Sequence, residues 1–157
     1  MPTTQGGAAS AASKPQYKMK VTRDIYVTMG DGTRIALAIY QPDAEGTFPA
    51  FFAASPYQYD TDHLPASPLF LWRETGPIEW YVERGYVYVR ADVRGTGRSD
   101  CVYGFLDKSE QEDYCEIVEW IARQPWSNGK VGGFGESYYA VAHGIHEPSS
   151  PRLHRAL

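Results

Sequence analysis

The chain has 157 residues, a length one domain accommodates, with 43% hydrophobic and 22% charged side chains, an ordinary globular balance. Nineteen acidic against fifteen basic residues leave a formal charge of -4, which excludes a face dedicated to nucleic acid, since a phosphate backbone needs clustered Lys and Arg. A mean hydropathy of -0.44, with no run of about 18 apolar residues, excludes a transmembrane helix. Twelve Tyr and four Trp imply a sizeable core or cleft. The two cysteines, Cys101 and Cys115, are too few for a disulfide framework, and a cytoplasmic location is expected. Met1 to Lys14 has no basic start and no apolar stretch, so residues 1–16 are expected to form a disordered arm rather than a signal peptide.

Met19 to Val27 reads as a strand, with Ile25 and Val27 on one side and Tyr26 on the other. Gly30-Asp31-Gly32 marks a turn, and Ile35, Leu37 and Ile39 alternate with small residues in a second strand, so the pair is expected to be a hairpin. Pro42 to Gly46 is a loop. Ala50 to Ala54, after Pro49, is a short apolar run of the kind buried on both faces. A long connection follows, broken by Pro56, Pro65 and Pro68 and carrying Tyr57, Tyr59, His63 and Trp72; so long a loop inside a compact domain is usually functional. Gly76-Pro77 opens a helix that closes at Arg84-Gly85. Tyr86 to Ala91 is a fourth strand, and a Gly-rich loop runs from Asp92 to Asp100. Ser109 and Glu112 have capping-box spacing, and Tyr114, Ile117, Val118 and Ile121 recur with a helical period until Pro125. Ser127-Asn128-Gly129 turns the chain into a fifth strand, Lys130 to Phe134. Gly135-Glu136-Ser137 is a tight turn, and a last helix runs to about His146, ended by Pro148 and Pro151. This alternation predicts an α/β fold of about five strands, the later ones parallel, with helices on both faces.

Gly135-Glu136-Ser137, between a strand and a helix, carries the strongest chemistry. A serine hydroxyl is a poor nucleophile until it is lifted clear of its neighbours and set beside a base. A sharp strand-to-helix turn does the lifting, and the helix start aims backbone N–H groups at any anion formed there. Tyr139 stands two residues past Ser137, so the G-x-S-x-G string is incomplete and a turn serine is the plain alternative. Gly95-Thr96-Gly97 follows a strand, but Asp100 takes the place of a third glycine and no helix starts directly after it. Gly132-Gly133-Phe134-Gly135 lacks the Lys-Ser/Thr of a phosphate loop. No cofactor is expected. Asp60, Asp62 and His63, or His143 with His146, are candidate metal ligands, but the loop carboxylates are expected to be solvated and the helical histidines lack a third ligand, so no metal is expected. The acidic run Asp107, Glu110, Glu112, Asp113 and Glu116 suits a helix N-terminus through the dipole. Tyr57, Tyr59, Trp72 and Trp80 either line an acyl pocket or pack as core.

Four stretches together resemble the cocaine-esterase-like (CocE/NonD) hydrolases, relatives of the X-Pro dipeptidyl-peptidases with an α/β-hydrolase fold. They are Ser55-Pro56-Tyr57, the D-x-R-G-x-G-x-S loop from Asp92 to Ser99, the long string from Glu119 to Gly132, and Gly135-Glu136-Ser137-Tyr138. The resemblance runs from about Tyr17 to the last residue. Ala140 departs from it, since the family usually carries glycine there, and an added methyl is expected to strain the packing of helix on strand. The resemblance implies acyl transfer to water, with Ser137 as nucleophile and an oxyanion hole made by the Tyr57 hydroxyl and the Tyr138 backbone N–H. The substrate would be a small-molecule ester, an amide or a peptide, with no nucleic acid and no membrane as partner.

The fold family orders its triad Ser, then Asp or Glu, then His. His143 and His146 lie along the helix that starts at Ser137 and are expected to point away from its hydroxyl, and His154 lies at the entry to the family's sixth strand. The chain therefore reads as the N-terminal portion of the domain, residues 17–157, ending as the sixth strand begins, with the triad Asp and His outside it. Such a portion is expected to be inactive or nearly so by itself. Its fifth strand would form an open edge prone to self-association. The alternative is a non-catalytic module that binds a partner through that edge.

Overall fold

Ile35, Leu37 and Ile39 lie on one face of a strand and Ala36, Ala38 and Tyr40 on the other, and both sets are buried. They belong to β2 (Arg34–Pro42) in a computed structural model that describes residues 13–60, 74–146 and 153–155. β1 (Met19–Thr28) and β4 (Val87–Asp92) flank β2, both antiparallel to it. β3 (Phe48–Ser55) runs parallel to β4, β5 (Ser127–Gly133) parallel to β3, and β6 (Leu153–Arg155) parallel to β5. The order across the sheet is β1-β2-β4-β3-β5-β6.

Both faces are covered, which is why β3 reads as an apolar run rather than an alternation. On one face Ile35, Leu37, Phe52 and Val89 meet α2 (Lys108–Ala122) through Tyr114, Ile117, Val118 and Ile121, and α3 (Tyr138–His146) through Tyr138 and Ala142. On the other, Ala38, Tyr88 and Phe51 meet α1 (Ile78–Val82) through Val82 and Tyr81. None of these helices is long and apolar enough to cross a membrane.

Three details differ from the sequence reading. The N-cap of α2 is Asp107, whose side chain accepts from the Glu110 N–H at 2.9 Å, two residues before the Ser109 spacing. Both spacings satisfy the motif, and the inward turn of Glu110, 3% exposed, decides between them. β6 forms and pairs with Val131, Gly132 and Gly133, so β5 is covered there instead of standing open. Finally, β1 carries a bulge between Thr22 and Ile25, with Asp24 at φ 57.

Candidate functional site

Serine at the end of β5 sits where few L-residues go. Ser137 has φ 52, in the left-handed region, and its side chain is exposed. The turn closes through the Glu136 N–H, which donates to the Glu74 carbonyl at 2.8 Å, and the Val141 N–H, which donates to the Ser137 carbonyl at 3.0 Å. Two glycines make the turn possible. A Cβ on Gly135 would stand 2.4 Å from Tyr139 Cβ, and one on Gly133 would stand 2.6 Å from the His143 ring. Ala140, where a methyl was expected to strain the packing, is exposed, and the close approach falls to Gly133 and Gly135 instead.

Tyr57 reaches the same end of the sheet from the loop after β3. Its ring packs edge-on against Tyr138 at 6.1 Å and Tyr139 at 6.0 Å, so the structure brings Tyr57, Ser137 and Tyr138 into one neighbourhood. The Tyr138 N–H opens α3, where a helix offers it no internal acceptor. The Tyr138 ring is buried and its hydroxyl donates to both Glu110 oxygens at 2.8 Å. Burial pushes this phenol far up, helped by the Tyr103 and Glu110 hydrogen bonds, and burial also raises the Glu110 carboxyl.

Two β4 side chains on one strand face hold the Tyr57 loop from below. Arg90 donates to the Gln58 carbonyl at 3.0 Å, the Tyr59 carbonyl at 3.3 Å and the Tyr139 hydroxyl at 3.4 Å. Asp92 accepts from the Tyr59 N–H at 2.8 Å and, on its other oxygen, from the Arg98 N–H at 2.9 Å. Burial raises the Asp92 carboxyl, and these N–H groups and Arg90 pull it back. These bonds lock the backbone of the loop from Asp92 to Asp100, and its Arg94 reaches on to α2 and to the turn after β1. Arg94 forms a bidentate pair with Asp113 at 2.6 and 2.8 Å and bonds Asp31 at 2.6 Å. Asp113 holds the guanidinium firmly charged.

The other candidates separate from the site. His143 is buried, with Nδ1 in a hydrogen bond with the Tyr114 hydroxyl, and burial lowers its pKa. Tyr59 is core, 3% exposed, its hydroxyl on Asp24 at 2.9 Å, and Trp80 lies under the Arg84 guanidinium at 3.9 Å, so these two do not join Tyr57 in a pocket. Asp60 pairs with Arg98 at 2.6 Å. Asp62, His63 and Trp72 lie outside the described residues, as do the side chains of His146 and His154. Among the described residues no group of His, Cys, Asp or Glu is arranged to hold a metal ion.

The sequence reading missed Arg90 and gave Glu110 only a helix-dipole role. Arg90 was visible as the one charge inside the run Val87-Tyr88-Val89-Arg90-Ala91, and Glu110 as the third residue after an alternative cap.

A mixed sheet ending in a serine turn, with helices on both faces, defines the N-terminal portion of an α/β-hydrolase-like fold. Residues 31–155 match the family model of the X-Pro dipeptidyl-peptidases (S15 family), and the chain belongs to this family, with the CocE/NonD hydrolases among its relatives. It is 34% identical to cocaine esterase of Rhodococcus sp. (strain MB1 Bresler), over 77% of this chain and 20% of that protein. It is 33% identical to a solved CocE/NonD family hydrolase from Staphylococcus aureus, with a TM-score of 0.77 over 86% of this chain and 26% of that one. A solved alpha-amino acid ester hydrolase, 24% identical, shares the fold with a TM-score of 0.71 over 97% of this chain and 26% of its own. The chain thus spans a fifth to a quarter of the length of these relatives.

Proposed function

We propose that this chain carries the nucleophile and oxyanion hole of a serine hydrolase that cleaves small-molecule esters, amides or peptides. The observation that carries the reading is Ser137 at φ 52, exposed, between β5 and α3. In this reading Ser137 Oγ attacks the substrate carbonyl carbon and its proton passes to an imidazole base. The carbonyl π electrons move onto oxygen, where the Tyr57 hydroxyl and Tyr138 N–H stabilise the charge. Collapse expels the leaving group with the returned proton, and water then hydrolyses the acyl-enzyme.

The base and its orienting carboxylate belong to residues outside this chain. His143 does not serve: it lies about 9 Å along the helix from Ser137 and faces Tyr114 and Gly133. The chain alone is accordingly inactive or nearly so. The alternative, a non-catalytic module that binds a partner through an open sheet edge, would use β6 rather than β5, because β6 covers β5 at Val131 to Gly133. The free Cys101 and Cys115 fit a reducing compartment, in line with a cytoplasmic location.

Chemical rescue tests this. The 157-residue chain should turn over an activated acetate ester weakly, imidazole should raise that rate above its solution background, and Ser137→Ala should abolish the gain. A gain that survives Ser137→Ala overturns the assignment, and esterase-level turnover without imidazole overturns the missing base.

A further inference from the structure

Arg90 is buried at 8% exposure in the middle of a strand. Among the described residues its hydrogen-bond partners are neutral oxygens, two loop carbonyls and one phenol, and no carboxylate lies within ion-pair distance. A buried charge held this way is costly to keep, and an apolar side chain would pack the same space at less cost. Its partners are informative. The Gln58 carbonyl belongs to the residue next to Tyr57, and Gln58 has φ 61, a backbone conformation that needs outside support. The Tyr139 hydroxyl belongs to the residue next to Tyr138. One rigid fork thus spans the two segments, far apart in sequence, that carry the two proposed oxyanion donors.

From this we infer that Arg90 is a positioning residue that sets the Tyr57 hydroxyl and the start of α3 in register, so that the two donors converge on one point. The inference rests on the proposed function for its catalytic meaning, and its geometric content stands apart from it. It acts by making the two donors converge, so its loss should cost little once the Tyr57 hydroxyl is gone and one donor is left.

The test uses the full chain labelled with 3-fluorotyrosine, the Tyr57 resonance being assigned by its loss in Tyr57→Phe. In Arg90→Met the Tyr57 and Tyr139 signals should shift or broaden, while Tyr114, on the opposite face of the sheet, keeps its signal. In the imidazole-rescued reaction, Arg90→Met should lower kcat on the order of 10²-fold with KM within about twofold, and only about threefold further in a Tyr57→Phe background. Should Arg90→Met not fold, Arg90→Lys replaces it, because an ammonium cannot span the fork's three acceptors, and the same Tyr57 shift is expected. A folded variant with an unmoved Tyr57 signal, or kinetic losses that add in full, overturns the inference. If the wild-type chain shows no Ser137-dependent rescue, the functional reading fails while the fluorine spectra still decide Arg90's role.

Discussion

Asp92 shows how much of this molecule is decided by single close contacts. Gly97 has φ 51, and a Cβ there would stand 2.0 Å from Asp92 Oδ2, the oxygen that accepts the Arg98 N–H. Gly97→Ala should cost about 3 kcal/mol of stability by urea denaturation. At the turn, Gly135→Ala meets the Tyr139 Cβ at 2.4 Å. It should remove at least about 10²-fold of any Ser137-dependent rate, more than its effect on the folding midpoint would suggest. The glycines of both loops were legible as glycines in the sequence. What they clear was not: Asp92 and Tyr139 come close only after the strands pair and α3 docks. Arg90 is the same case, a visible charge whose partners at Gln58, Tyr59 and Tyr139 lie 31 to 49 residues away.

Helix α2 tests the reading at the scale of an element. Its apolar stripe of Tyr114, Ile117, Val118 and Ile121 was plain in the sequence, and all four are buried. Its start was not, because Asp107 with Glu110 and Ser109 with Glu112 offer equal local chemistry. Asp107→Ala should therefore cost about 1 kcal/mol and Ser109→Ala stay within about 0.5 kcal/mol, both read from denaturation midpoints. The acidic run proved to be tertiary rather than a matter of dipole alone. Glu110 takes the Tyr138 hydroxyl, Asp113 takes Arg94, and Glu116 accepts the Gly30 N–H at 2.8 Å. No local pattern names those partners, since each comes from another element. Strand β6 protects its neighbour in the same element-on-element way. Deleting residues 153–157 strips the cover from Val131 to Gly133 and should raise aggregation, measured by light scattering at matched concentration.

For the molecule as a whole, two sets of carboxylates pull stability in opposite directions with pH. The Arg94 guanidinium, then the Thr33 N–H and hydroxyl, hold Asp31 down at about 2, from 3.8, and Arg34 lowers Asp100. Such groups lend stability above the unfolded value and lose it as pH falls toward the folded one. Burial raises Glu110 and Asp92, so their ionisation weakens the fold as pH rises through their raised values. Acidifying from neutrality should first raise the urea midpoint and then lower it between pH 3.8 and about 2. Glu110→Gln should flatten the rise and Asp31→Asn the fall; a midpoint that only declines would contradict the assignment. The architecture itself was legible from alternation and turn residues, because strands such as β2 and β4 must bury both faces whatever lies beyond them. The convergence at the serine turn needed three dimensions, since it joins side chains from the loop after β3, from β4 and from α3. The kink at Asp24, which bends β1 out of line and ties it to Arg98 and Tyr59, also gives the sheet a direction. The bulge breaks the regular ladder of one outer strand, a feature that discourages pairing, so any scheme to extend or complement this scaffold with a further polypeptide should approach it from β6, the outer strand of the opposite flank.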